Sequence, residues 1–227
     1  MRGYGQYCPV AKAAEVLGER WTLLVVRDLV TGAHRFNDLQ RGLPGISRTL
    51  LSHRLRRLQA DGLVERRPGV SGREEYWLTP LGRDLEPALM ALGEWSVRNF
   101  GREPLRGELD PVVLMLWIER QTRRDAFPGA GLIARFEFRG ANPPRAWLVV
   151  EDGTPSACMD DPGHDADLVI TSDLRTLHLV FSGRLALAPV LRDGKIELEG
   201  APHQRRAFTR WFGLSPFASA ARAALSA

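Results

Sequence analysis

Apolar positions in the first hundred residues recur at three- and four-residue steps. Val10, Ala13, Ala14 and Leu17 form one stripe and Trp21, Leu24, Val25 and Leu29 the next, which predicts two opening helices. The short segment RFNDLQRGL turns Phe36 and Leu39 inward before Gly42, Pro44 and Gly45 interrupt the backbone. Ser47 is placed to cap a helix over residues 48–60, its hydroxyl accepting from the free N–H groups of the first turn, and Gly62 ends it. After that stop, LVERR and EEYWLT read as two short strands around the loop RPGVSGR, a hairpin that makes a wing. Thr79-Pro80 opens a further helix, along which Leu81, Leu85, Leu89, Leu92 and Trp95 repeat at helical spacing.

Periodicity lapses in GREPLRGELDP, so residues 101–110 are expected to be a linker. Beyond it PVVLMLWIERQTRR reads as a helix, followed by strands at about 131–139, 145–151, 154–159 and 166–171. The first of these sets Leu132, Ala134, Phe136 and Phe138 against Ile133, Arg135, Glu137 and Arg139, one apolar face and one mostly charged. Asp173 caps a helix to about Phe181, a shorter helix ends at Arg192, and strand KIELEG precedes a last helix, HQRRAFTRWFG. The expected plan is a mainly α winged helix-turn-helix domain over residues 1–100, an α+β domain over 111–220 and an alanine-rich tail over 221–227.

With 227 residues, 44% hydrophobic and 26% charged, the chain has the composition of a globular protein with a real core. No apolar stretch approaches the ~20 residues needed to span a bilayer and the first ten residues lack a signal-peptide centre, so a cytoplasmic protein is expected. Two distant cysteines, Cys8 and Cys158, support neither a disulfide framework nor a structural metal site, and no cofactor is expected. The charge is unevenly placed. Residues 1–100 hold 15 Lys and Arg against 11 Asp and Glu, whereas residues 101–227 hold 16 of each. Nine arginines face only Asp38, Asp61 and Glu65 between residues 35 and 73, a balance that favours an anionic polymer as partner.

On a helical wheel, residues 47–60 gather Leu50, Leu51, Leu55 and Leu58 on one side. Thr49, Ser52, His53 and Arg56 lie opposite, flanked by Arg48 and Gln59, and residues 46–60 contain no acid to pair with their arginines. Arginine can grip guanine O6 and N7 through two hydrogen bonds, and small hydroxyl side chains allow close approach to base edges. Arg48, Thr49, Ser52, His53 and Arg56 are therefore the candidate base-reading set, and Ser47, Arg57, Arg66, Arg67 and Arg73 the candidate contacts to the DNA backbone.

Residues 7–100 closely resemble the HxlR-type winged helix-turn-helix transcription regulators. The resemblance rests on Cys8-Pro9, Gly18 with Arg20-Trp21, Arg35-Phe36, Leu43-Pro44-Gly45-Ile46-Ser47, Leu51-Ser52, Leu55, Leu58, Gly62-Leu63-Val64 and Tyr76 through Gly82, all in order. It implies a homodimer that binds a palindromic operator in double-stranded DNA, with Leu81, Leu85, Leu89, Leu92 and Trp95 as the dimer contact. Some members of that family sense oxidants or electrophiles through a cysteine near the N-terminus, where Cys8 stands. A thiol beside a helix start has the setting of a reactive cysteine, although free cysteine is also among the most often buried residues, acting as a small inert hydrophobe.

Residues 110–220 resemble, more loosely, the sterol-carrier-protein fold. RFEFRGANPPRAWLVVEDGTPSAC, ADLVITSDLRTLHLVFSGRLALAPVLRDGKIELEG and HQRRAFTRWFGL carry the likeness. It implies a five-stranded sheet backed by helices around an apolar tunnel that holds a hydrophobic small-molecule effector. Trp117, Phe136, Phe138, Trp147, Val149, Phe181, Trp211 and Phe212 could line such a pocket or fill a plain core.

Enzymatic motifs are missing: there is no GxSxG elbow, phosphate-binding loop or HExxH pair, and the five histidines show no ligand spacing. DDPGHDADL, residues 160–168, reads as a solvated turn and not as a cation site. The expectation is a non-enzymatic, ligand-responsive DNA-binding regulator without a membrane partner. The rival is a lipid or sterol carrier, or another binding module, whose basic half docks on a membrane or a protein.

Overall fold

The computed structural model describes residues 3–69, 72–129 and 131–225, so Val70 and Ser71 of the hairpin loop and the last two residues of the tail lie outside the described residues. The chain divides into two units, Met1–Leu92 and Gly93–Ala227.

The first unit opens with α1 (Pro9–Leu17), α2 (Thr22–Val30) and α3 (Phe36–Gly42). The stripe foreseen for α1 is only partly used: no residue of α1 is fully buried, Val16 and Leu17 touch the core, and Val10 stays 76% exposed. In α2, Val25, Val26 and Leu29 are buried and Leu24 is not. Helix α4 (Arg48–Ala60) starts where Ser47 Oγ accepts from Leu50 N at 3.2 Å. It ends at Asp61, and Gly62 supplies the left-handed residue beyond it at φ +72°. Leu51, Leu55 and Leu58 are buried and Leu50 packs at the margin, so the leucine side of α4 forms the centre of this core. Strands β1 (Val64–Pro68) and β2 (Glu74–Leu78) pair antiparallel, Arg66 opposite Tyr76 and Arg67 opposite Glu75.

Thr79 Oγ1 caps the next helix, as expected, but α5 (Pro80–Arg83) stops after four residues, and α6 (Glu86–Phe100) begins separately. Pro87 explains the break: it has no N–H to donate, and its ring would strike the carbonyl of residue 83 in a continuous helix. The expected leucine stripe is also divided between core and surface. Leu85 and Leu89 turn onto the core of the first unit, whereas Leu81, Leu92 and Trp95 remain 57, 49 and 51% exposed. The boundary between the units falls at Leu92/Gly93, inside α6, and not in the expected linker at 101–110.

In the second unit, a 3-10 turn at Arg106–Glu108 leads to α7 (Pro111–Gln121), capped by Asp110, whose Oδ1 accepts from Val112 N and Val113 N. Strands β3 (Leu132–Arg139), β4 (Arg145–Glu151), β5 (Thr154–Cys158), β6 (Leu168–Asp173) and β7 (Ile196–Gly200) form one sheet in the order β5-β4-β3-β6-β7. The sheet is mixed, since β3 and β6 run parallel at its centre and the other neighbours run antiparallel. Asp173 caps α8 (Leu174–Phe181), its Oδ1 accepting from Thr176 N at 2.8 Å, and α9 (Leu187–Arg192) follows. Helix α10 (Pro202–Trp211) closes the layer, and α7, α8 and α10 cover the face bearing Leu132, Ala134, Phe136 and Phe138. The alanine-rich segment expected as a tail forms a further helix, α11 (Ala218–Leu225), with Ala218 and Ala221 buried, in keeping with alanine's high helix propensity. Among the described residues, no helix is long and apolar enough to cross a membrane.

The pocket inferred for the second unit does not assemble as expected. Phe136, Phe138, Phe181, Trp211 and Phe212 are buried in one core cluster, where Phe208 packs edge-on against Trp211 at 5.0 Å and Phe181 edge-on against Phe212 at 6.5 Å. Trp117 is only partly buried at its margin. Trp147 and Val149 belong to the opposite face of the sheet. The register sets Trp147 beside Arg135 and Val149 beside Ile133, while Ala146 and Leu148 take the positions facing the helices.

Candidate nucleic-acid interface

The face of α4 that carries no leucines is presented as the wheel predicts: Arg48, Thr49, His53 and Arg56 are exposed, and Ser52 is half-buried. Arg56 keeps to its own helix, its Nε donating to Ser52 O at 3.4 Å, and among the described residues it forms no ion pair. Arg54 Nη1 lies 3.2 Å from His53 Nδ1. Because a guanidinium only donates, the neutral imidazole keeps its proton on Nε2 and offers a donor suited to purine N7 or O6 acceptors.

Pairing of the basic residues differs from the expectation. The absence of acids within 46–60 suggested bare arginines, but carboxylates reach them from elsewhere. Arg54 is drawn inward to Glu19 and to the carbonyl of Arg20. Arg57 Nε meets Asp61 Oδ2 at 2.9 Å, one helical turn on. On the wing, Arg66 faces Glu74 at 3.4 Å and Arg67 pairs with Glu65. Arg48 reaches back to α3, donating to Gln40 Oε1 at 2.8 Å with its guanidinium 4.9 Å from the Phe36 ring centroid. The exposed pairs of the wing, Arg66–Glu74 and Arg67–Glu65, contribute at most ~1 kcal/mol each, so a phosphate can displace either carboxylate with little loss.

Between α3, the start of α4 and the wing lies a groove of about 970 Å³ whose lining includes Arg35, Arg41, Arg48, Arg66 and Arg73 against Asp38 and Glu74. Arg35 and Arg41 received no role from the sequence, although the local charge balance already counted them. His34 was missed as well. Its Nδ1 lies 3.1 Å from Tyr76 O, its carbonyl accepts from Tyr76 N at 2.7 Å, and its ring stacks on Trp77 at 3.6 Å, with Arg67 on the Trp77 ring. Burial pushes the His34 imidazole below its ordinary range. The residue thus fastens the wing to the loop before α3, a role that a lone histidine in sequence does not announce.

Cys8 stands at the N-cap position of α1, half-buried, before Pro9.

Residues 16–104 match the family model described as HxlR-like helix-turn-helix. An uncharacterized HTH-type transcriptional regulator of Mycobacterium tuberculosis is 49% identical over 89 residues, covering 38% of this chain and 56% of its own length. The chain therefore spans a little over half of that relative. Two such regulators of Bacillus subtilis, YybR and YvaP, are each 37% identical over 94 residues, which is 40% of this chain and 75% and 87% of theirs.

Proposed function

The chain belongs to the HxlR-like helix-turn-helix family, and we propose that it is a cytoplasmic transcription regulator that binds a palindromic operator as a homodimer. The observation that carries this reading is the exposed side of α4, where Thr49, His53 and Arg56 stand clear of the leucine core beside a groove rich in arginine. In this reading Arg48, Thr49, Ser52, His53 and Arg56 contact base edges, and Ser47, Arg57, Arg66, Arg67 and Arg73 contact phosphates. Two such helices in a dimer meet half-sites about 34 Å apart, or a multiple of that. Leu81, Leu92 and Trp95 supply the dimer contact, as exposed apolar side chains with no core of their own to enter. The second unit responds to a hydrophobic small molecule, which alters DNA binding only through unequal affinity for the competent and incompetent forms. Footprinting on the protein's own promoter tests the reading. A discrete protected site supports it, and salt-sensitive binding without sequence preference supports a carrier or docking module instead.

Cys8 at a helix start motivates a thiol-sensing role in the same regulator. Diamide or a quinone is expected to release DNA from the wild type and not from Cys8→Ser; equal release from both would exclude it.

A further inference from the structure

In the second unit, edge strand β7 and helices α9 and α10 enclose an open groove of about 880 Å³. Its floor is apolar: Ile196 is buried, and Leu191 and Leu198 are half-buried against the core under the sheet. Its helical wall carries Arg205, Arg206 and Arg210, all exposed, on the side of α10 away from Ala207, Phe208 and Trp211. Helix α10 contains no acidic residue, so Arg206 and Arg210, one turn apart, repel each other. Among the described residues none of the three arginines forms an ion pair, and Glu197, the one carboxylate among the lining residues, is engaged by Arg139.

We propose that this groove binds a single-chain amphiphile with an anionic head group, its chain along Leu191, Ile196 and Leu198 and its head among the three guanidinium groups. The volume lies within the range of roughly 300–1,000 Å³ usual for small-molecule sites. Guanidinium forks match carboxylate and phosphate oxygens two at a time, and an anion there removes the repulsion along α10. From Ile196 to Leu198 the strand offers a run of about 7 Å, at ~3.3 Å per residue, and Leu191 of α9 continues the apolar floor beside it. The proposal rests on the reading of this unit as the ligand-responsive part of the regulator. It moves the ligand from the aromatic core to a surface groove and gives it a charge.

The full-length protein is titrated calorimetrically with dodecanoate and with dodecyl phosphate, each below its micellar concentration. Dodecanol serves as the chain-only probe and inorganic phosphate as the head-only probe. Both anionic amphiphiles are expected to bind, dodecanol and inorganic phosphate at least about tenfold more weakly, and Arg206→Gln/Arg210→Gln to lose about tenfold or more for the anionic probes alone. No binding of either amphiphile, equal binding of dodecanol or of inorganic phosphate, or an unchanged affinity in the double variant overturns the proposal. Binding confined to anionic phospholipid vesicles, or a changed oligomeric state in the double variant, assigns the groove to a bilayer or a second copy and overturns it too. The same preparations are footprinted on the promoter: amphiphile binding without a protected site keeps the groove and removes the regulator, and the reverse result does the opposite.

Discussion

Arg54 Nε donates to the main-chain carbonyl of Arg20 at 2.9 Å, and the same guanidinium pairs with Glu19, so one arginine in the middle of α4 ties that helix to the turn that starts α2. Its side chain is only 11% exposed. Arg54→Ala is expected to cost about 1.5–3 kcal/mol as its charge-assisted bonds disappear, lowering the thermal midpoint before any effect on DNA. Arg56→Ala, on the exposed side, is expected to leave the midpoint unchanged. Thermal denaturation followed by circular dichroism separates the two; equal midpoints would reject the structural role of Arg54.

Arg56 has no carboxylate partner among the described residues, whereas Arg67 is held by Glu65 and the Trp77 ring. Arg56→Ala is expected to weaken the specific operator by about 1–3 kcal/mol and random DNA much less. Arg67→Ala or Arg73→Ala should weaken both alike and lower the salt slope by about one ion for each phosphate that the variant no longer neutralises. Equal losses from all three variants in fluorescence-anisotropy titrations would erase the division into reading and positioning residues.

The attachment of the wing should depend on pH. Burial lowers the His34 imidazole from 6.5, with Arg83 and Arg67 adding to that, while the Tyr76 carbonyl and Glu75 act in the opposite sense. Burial lowers His178 in the second unit as well. A histidine depressed in the fold binds more protons when unfolded, so stability is lost as pH falls below about 6.5. The thermal midpoint is expected to be lower at about pH 5.5 than at about pH 7.5. His34→Asn, which can still donate to Tyr76 O, should flatten part of that fall; an unchanged pH profile would show that His34 does not titrate on unfolding.

Leu92 and Trp95 project from α6, about half exposed. Leu92→Glu/Trp95→Glu is expected to halve the mass seen by sedimentation at micromolar concentration without changing helix content, and to weaken operator binding because a monomer reaches only one half-site. An unaltered mass would place the dimer contact elsewhere.

Gly82 allows α5 to lie directly on the backbone of Leu63, just before β1: a Cβ there would stand 2.1 Å from Leu63 O. Gly82→Ala is therefore expected to destabilise the first unit by about 2 kcal/mol or more, read as a lower urea midpoint.

Several features were legible because they are local. Ser47, Gly62, Thr79 and Asp173 act within a few residues of themselves, so the ends of α4, α5 and α8 follow from which side chains can reach a free N–H or adopt a left-handed turn. Alternation along Leu132–Arg139 likewise separates a core face from a charged face, because successive strand side chains point oppositely. Leucine spacing in α4 told the buried side from the open one for the same reason, with a different period.

What the chain alone could not convey depends on residues distant in sequence. Arg54 finds Glu19 and Arg20, and Arg66 finds Glu74, only once helices and wing have packed. Trp147 and Val149 leave the aromatic core because the pairing of β4 with β3 fixes which of two alternating sets faces the helices. Leu81 and Leu85 are separated from Leu89, Leu92 and Trp95 because the helix is interrupted before Pro87, and within α6 Leu89 meets the core while Leu92 stays exposed. Side-chain periodicity and capping are properties of neighbours along the backbone, and the sequence by itself determined those. Register, ion pairing and the burial of any one aromatic ring are settled by which surfaces meet, and only the tertiary structure decided them.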